Sequence, residues 1–146
     1  MIRPATGSLV FYTPDMSNPS SVKFFDTGIS AGYPSPAEDF NTQALSLDEA
    51  LTKNKETTFY ARVSGQSMIG AGLDDNDLLV IDRSLQPENN KIAVCFLDGE
   101  FTVKRLRVSK DEVWLQPENP NYPIIKITED NNFLIWGIVT NVIKKV

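Results

Sequence analysis

The chain contains no histidine among its 146 residues, and this absence narrows the chemistry open to it. A nucleophile activated by imidazole is excluded, and so is a histidine-bearing zinc site. The single cysteine, Cys95, cannot form an internal disulfide, which fits a reducing cytoplasm. It lies in the apolar run 91–97, where a small buried hydrophobe is expected rather than a reactive thiol. No apolar run approaches the ~18 residues needed to cross a membrane, and the N-terminus carries no signal-peptide core. Cationic residues are scarce as well: 14 Lys and Arg stand against 19 Asp and Glu, a formal charge of −5. Direct sequence-specific DNA binding, which needs basic patches, is therefore not expected; if DNA is involved, a partner should touch it. The acidic stretch Asp74, Asp75 and Asp77 lacks calcium-loop spacing with a distal glutamate, so it reads as a solvated turn and not as a metal site. No cofactor is implied.

What is present divides the chain at about residue 45. Residues 1–45 carry Pro4, Pro14, Pro19, Pro34 and Pro36 and show no sustained period, which predicts an extended N-terminal arm. Within it, 8–12 and 22–25 are apolar enough to dock as edge strands on the globular part. Ser46-Leu47-Asp48-Glu49 reads as a capping box opening a short helix, with Leu47 and Leu51 packing at i, i+4. From Thr58 onward the pattern is β, with candidate strands at 58–63, 77–82, 91–97, 100–108, 112–116, 124–127 and 133–143. Asp98-Gly99 between two apolar runs is a hairpin signal. The expected fold is mainly β: a core domain over 46–146 of short antiparallel strands, as a sandwich or partly closed barrel, preceded by the arm. At this length one domain with a real hydrophobic core is expected.

Without histidine, a serine nucleophile needs another base, and a neutral lysine can serve. Ser67, in Val63-Ser64-Gly65-Gln66-Ser67-Met68, comes after the strand-like run 58–63, which suits a serine at the exposed start of a turn or helix. Lys104 lies on the strand that Asp98-Gly99 delivers. It shares a face there with Thr102, Leu106 and Val108, while Phe101, Val103, Arg105 and Arg107 point the other way. Bringing a lysine from its ordinary pKa of about 10.4 to roughly 7 takes on the order of 4 to 5 kcal/mol, which calls for burial or a neighbouring cation. Spacing alone leaves open the alternative of a lysine whose amine reaches solvent.

The segments Ser64-Gly65-Gln66-Ser67-Met68-Ile69, 73–82 and 98–106 together resemble the LexA/UmuD family of self-cleaving serine-lysine peptidases, in order and in spacing. The resemblance runs from Ala31 almost to the C-terminus. It implies Ser67 as nucleophile, Lys104 as base, and the backbone N–H groups of Gln66 and Ser67 as oxyanion donors. Ala31-Gly32, in 31–37, is similar to the family's cleavage segment. Chemically the bond suits that role, since Ala31 fits a tight pocket and Gly32 lets the backbone bend close to a nucleophile, with Pro34 and Pro36 stiffening the segment beyond the bond. An ordinary Gly-Pro turn is the alternative reading of the same residues.

The resemblance further implies partners. A RecA-DNA filament would promote the cut after DNA damage, and the trimmed product would form a homodimer and join a UmuC-like DNA polymerase in translesion synthesis. The residues before Gly32 are too few for a three-helix DNA reader, so a repressor role is not expected. Two other readings stay open: an uncleaved dimeric binding module, and a phage or plasmid regulator that uses the same fold to contact RecA or a polymerase. Cleavage within one chain or between the chains of a dimer is equally allowed.

Overall fold

The computed structural model describes residues 10–17, 21–25, 31–32 and 42–146, and of 21–25 and 42 the backbone alone. These belong to two compact units, one formed by Met1–Pro14 with Asn54–Val146 and the other by Asp15–Lys53.

In the 15–53 unit, strand β2 (Ser21–Phe25) pairs antiparallel with β3 (Thr42–Ser46). The apolar piece 22–25 thus finds its partner inside this unit. Helix α1 (Leu47–Leu51) comes next without a break, and the Ser46 hydroxyl accepts from the Glu49 N–H at 3.5 Å, the capping expected of this sequence. The helix buries none of its residues, and Leu47 is 56% exposed, so the leucine pair expected at i, i+4 lies on an exposed face.

The larger unit is a single open antiparallel sheet of eight strands, mainly β as expected, and not a closed barrel. Its strands are β1 (Phe11–Tyr12), β4 (Thr58–Arg62), β5 (Leu78–Asp82), β6 (Ile92–Leu97), β7 (Glu100–Val108), β8 (Val113–Gln116), β9 (Ile125–Lys126) and β10 (Phe133–Ile143). They lie in the order β1-β4-β5-β10-β6-β7-β8-β9. Phe11 and Tyr12 dock as an edge strand against Ala61 and Tyr60. The β6–β7 hairpin turns on Asp98 and Gly99, with φ of 50° and 91°. Positive φ at both central residues matches the right-handed twist of the strands, and Asp-Gly tolerates it.

Alternation sorts the core into two clusters. On β6, Ile92 and Val94 pack with Ala61, Met68, Leu79, Ile81 and Val103, whereas Ala93, Cys95 and Leu97 pack with Leu106, Leu115 and Ile138 on the other side. The long strand β10 serves both clusters because its register shifts between Ile135 and Gly137. Trp136 can then turn toward Phe11, Phe59 and Phe101 while Ile135 and Ile138 both face the second cluster.

Gly137 sits in that irregularity because a side chain has no room there. A Cβ would meet Ile81 Cγ2 at 2.6 Å and Arg83 Cγ at 3.3 Å. Arg83 is itself held, its Nε donating to the Trp136 carbonyl at 2.9 Å and its guanidinium lying 4.5 Å from the Trp136 ring centroid. Gly137→Ala is therefore expected to destabilise the domain by about 1–3 kcal/mol. Urea unfolding checks this, and an unchanged midpoint would mean the strand relaxes without cost.

Candidate active site

Ser67 lies in a turn between β4 and a short 3-10 turn, Ile69–Ala71. The turn is pinned from several sides. Val63 N–H donates to the Asp77 carbonyl and Asn76 N–H to the Val63 carbonyl, each at 2.8 Å. Gly65 has φ of 102°, a conformation that favours glycine, and its N–H donates to Asp75 Oδ1 at 2.9 Å. The Met68 side chain is buried in the first core cluster beside Val63 and Leu73. Its carbonyl accepts from Ala71 and Leu73 N–H at 3.0 and 3.2 Å. Ser67 is thus the half-buried residue between an anchored methionine and a fixed glycine turn.

Lys104 enters from β7, opposite Ala93 of β6. It is 8% exposed. Its Nζ lies 3.2 Å from Ser67 Oγ, 2.6 Å from Thr102 Oγ1 and 3.2 Å from the Val103 carbonyl. Among the described residues no carboxylate lies within ion-pair range of it. Burial without a counter-ion disfavours the ammonium and pulls its pKa below the ordinary lysine value; the nearby Cys95 opposes this slightly. Cys95 is fully buried, its own pKa pushed up to about 12 by burial, so it remains a neutral thiol. It packs as the small hydrophobe that the sequence suggested.

The surrounding acceptors favour one orientation of a neutral amine. An unprotonated lysine has two N–H donors and one lone pair. The Val103 carbonyl can only accept, and Thr102 Oγ1 can accept the second N–H. The lone pair then faces the Ser67 hydroxyl at a distance suited to accepting its proton. A small pocket lies beside Ser67, lined by Ser64, Gly65, Ser67, Met68, Phe101 and Thr102 among others.

A model described as peptidase S24-like matches residues 23–140. The chain belongs to this family of serine peptidases. Protein MucA of Salmonella typhimurium is 39% identical over 133 residues, 90% of each chain. Protein ImpA of the same species is 38% identical over 141 residues, covering 94% of this chain and 96% of its own. The LexA repressor of Delftia acidovorans is 36% identical over 116 residues, which are 80% of this chain and 51% of the repressor. The family resemblance seen in the sequence is thus borne out.

Of the positions singled out in this peptidase S24-like chain, Ser67 and Lys104 meet, and the amide groups of Gln66 and Ser67 donate to no acceptor among the described residues. Ala31 and Gly32 form an exposed bend in the 15–53 unit, whereas Ser67 and Lys104 belong to the other. Pro34 and Pro36 lie outside the described residues. In the acidic stretch 74–77, Asp74 and Asp75 are exposed in a turn leading into β5, as expected, and Asp77 departs from that reading. Asp77 is buried, accepts the Asp74 N–H at 2.8 Å and pairs with Lys144, whose hydrogen bond holds its carboxyl below the usual range. Its neighbour Asp75 shapes the Gly65 turn. The sequence carried no sign of these roles, because a run of aspartates at a turn looks the same whether it is solvated or folded inward.

Proposed function

We propose that the protein is a self-cleaving peptidase in which Lys104, unprotonated, activates Ser67 to cut its own Ala31–Gly32 bond. The observation that carries this reading is the buried Lys104 amine, 3.2 Å from Ser67 Oγ and without a counter-ion among the described residues, in a chain without histidine. Lys104 takes the Ser67 proton as Oγ bonds to the Ala31 carbonyl carbon. The N–H groups of Gln66 and Ser67 donate to the resulting oxyanion. The C–N bond breaks, and Lys104 returns the proton to the Gly32 amine. Water, deprotonated by Lys104, then hydrolyses the ester and restores Ser67. The small pocket beside Ser67 suits the Ala31 methyl group.

In this reading, supported by the family resemblance and by the related LexA repressor, the protein acts in the cytoplasmic response to DNA damage. A RecA-DNA filament promotes the cut. The product beginning at Gly32 forms a homodimer that serves a UmuC-like translesion polymerase, without itself reading DNA sequence.

Intact-mass spectrometry at mildly alkaline pH, with and without activated RecA filament, tests this directly. A species beginning at Gly32 is expected from the wild type. Gly32→Val should slow its appearance by about a hundredfold or more by obstructing close approach of the nucleophile. The fold should survive, since a Cβ at Gly32 meets nothing within 4 Å. Normal processing of that variant would move the cut elsewhere, and a wild type that stays whole under every condition would favour the uncleaved binding module.

A further inference from the structure

The loop after β8 reaches back to the serine turn and holds it by its backbone at two points. Gly70 N–H donates to the Glu118 carbonyl at 2.8 Å, and Asn119 Nδ2 donates to the Gln66 carbonyl at 2.9 Å. The Asn119 side chain is a buried polar group, 8% exposed overall, and its orientation is unambiguous. Nδ2 faces a carbonyl, which can only accept, while Oδ1 accepts the Asn121 N–H at 3.0 Å. The approach of loop to turn is as close as backbone allows, for a Cβ on Gly70 would lie 2.5 Å from the Glu118 carbonyl oxygen. Glu118 is also gripped by Arg105, the residue beside Lys104 on β7, and Arg105 Nη1 donates to the Asn90 carbonyl at 2.6 Å. The strand that carries Lys104 and the loop that holds the Ser67 turn are therefore tied together.

The carbonyl of Gln66 and the N–H of Ser67 belong to the same planar trans peptide and point in opposite directions. A donor that fixes the carbonyl fixes the direction of the N–H. We propose that Asn119 is a positioning residue for acyl transfer: by holding the Gln66 carbonyl it sets the plane of the 66–67 peptide and aims the Ser67 N–H at the developing oxyanion. This rests on the Ser67–Lys104 reading above and extends it to a residue that touches neither substrate nor base. The Gln66 carbonyl also accepts from the Ile69 N–H, but at 3.4 Å; without the shorter Asn119 bond the peptide is held by that long bond alone, and the donor must be reoriented during the reaction.

The test compares wild type, Asn119→Asp and Asn119→Ala, tracking self-cleavage of the full chain by intact mass across pH. Asn119→Asp keeps the shape and the acceptor for Asn121 but turns an ionised oxygen toward the Gln66 carbonyl. Both variants are expected to cut about a hundredfold more slowly at the alkaline plateau, the order of loss seen when one oxyanion donor is removed. In Asn119→Ala the midpoint of the pH profile should stay where it is in the wild type, because no charge is added and Lys104 keeps its burial; in Asn119→Asp the added carboxylate itself favours the ammonium, so that variant is read by its plateau alone. A merely structural loosening would admit water to Lys104 and move the midpoint of Asn119→Ala up. Such a move in Asn119→Ala, or a plateau within about threefold of wild type in either folded variant, overturns the assignment. If Asn119→Ala fails to fold, the plateau of the isosteric Asn119→Asp decides. A wild type that cuts normally beside unaffected variants refutes the role of Asn119 alone, whereas a wild type that never cuts removes the dyad reading with it.

Discussion

Lys104→Met is expected to lower self-cleavage by about four orders of magnitude or more while making the folded protein more stable at neutral pH, by on the order of 1 kcal/mol. The two effects have opposite signs for one reason. The lysine stem fills space between the sheet and the serine turn, which methionine also fills. Its amine is a buried ionisable group without a counter-ion among the described residues, so folding must either bury the ammonium or remove its proton, and methionine does neither. Activity is lost because no other described group within reach of Ser67 Oγ can take its proton. Linkage makes the stability gain depend on pH. The folded pKa of Lys104 lies below its unfolded value near 10.5, so between those two values the unfolded chain binds more protons and wild-type stability rises with pH. The advantage of methionine should thus be full below the folded pKa and shrink as pH approaches that of an ordinary lysine. Urea unfolding at mildly acidic and at strongly alkaline pH measures this. A constant difference, or a methionine variant less stable at acidic pH, would mean that the Lys104 amine is solvated after all.

The rate of wild-type self-cleavage should itself climb about tenfold per pH unit through the acidic and neutral range, then level off at the folded pKa of Lys104. Below that pKa the fraction of neutral amine falls tenfold with each unit, and no other described group at the dyad titrates in a way that would oppose it. Cys95, with its pKa near 12, stays protonated throughout. Two pH units on the rising limb therefore correspond to about a hundredfold in rate. The plateau should begin below the pKa of an exposed lysine, since burial lowers it. Intact-mass time courses on the isolated chain supply the profile. A flat rate from mildly acid to strongly alkaline pH would remove Lys104 from the role of base, and a break near 10.5 would leave its position but deny its burial.

These two results depend on a site whose parts were unequally visible in the sequence. The strands around it could be read from alternation and turn residues: Glu100–Val108 and Phe133–Ile143 stand where the pattern put them, and the Asp98-Gly99 turn presents Lys104 on the same face as Thr102, its closest hydrogen-bond partner. Local chemistry suffices there, because a period of two and a turn that requires positive φ are written in neighbouring residues. For the helix, spacing placed Leu47 and Leu51 one turn apart but did not tell that Leu47 stays exposed, because burial needs a surface opposite, which spacing along one element cannot supply.

The amino-acid sequence by itself determined the β character of residues 58–146, the hairpin that carries Lys104, the absence of any imidazole base and the family to which the chain belongs. Tertiary structure alone decided that Lys104 is buried within reach of Ser67, without a counter-ion among the described residues, that Asp75 shapes the Gly65 turn, and that Asn119 holds the Gln66 carbonyl. Each of these joins residues far apart in the chain. A side chain's pKa or donor geometry depends on what folding places around it, and no local pattern of residues encodes that distance or that dielectric.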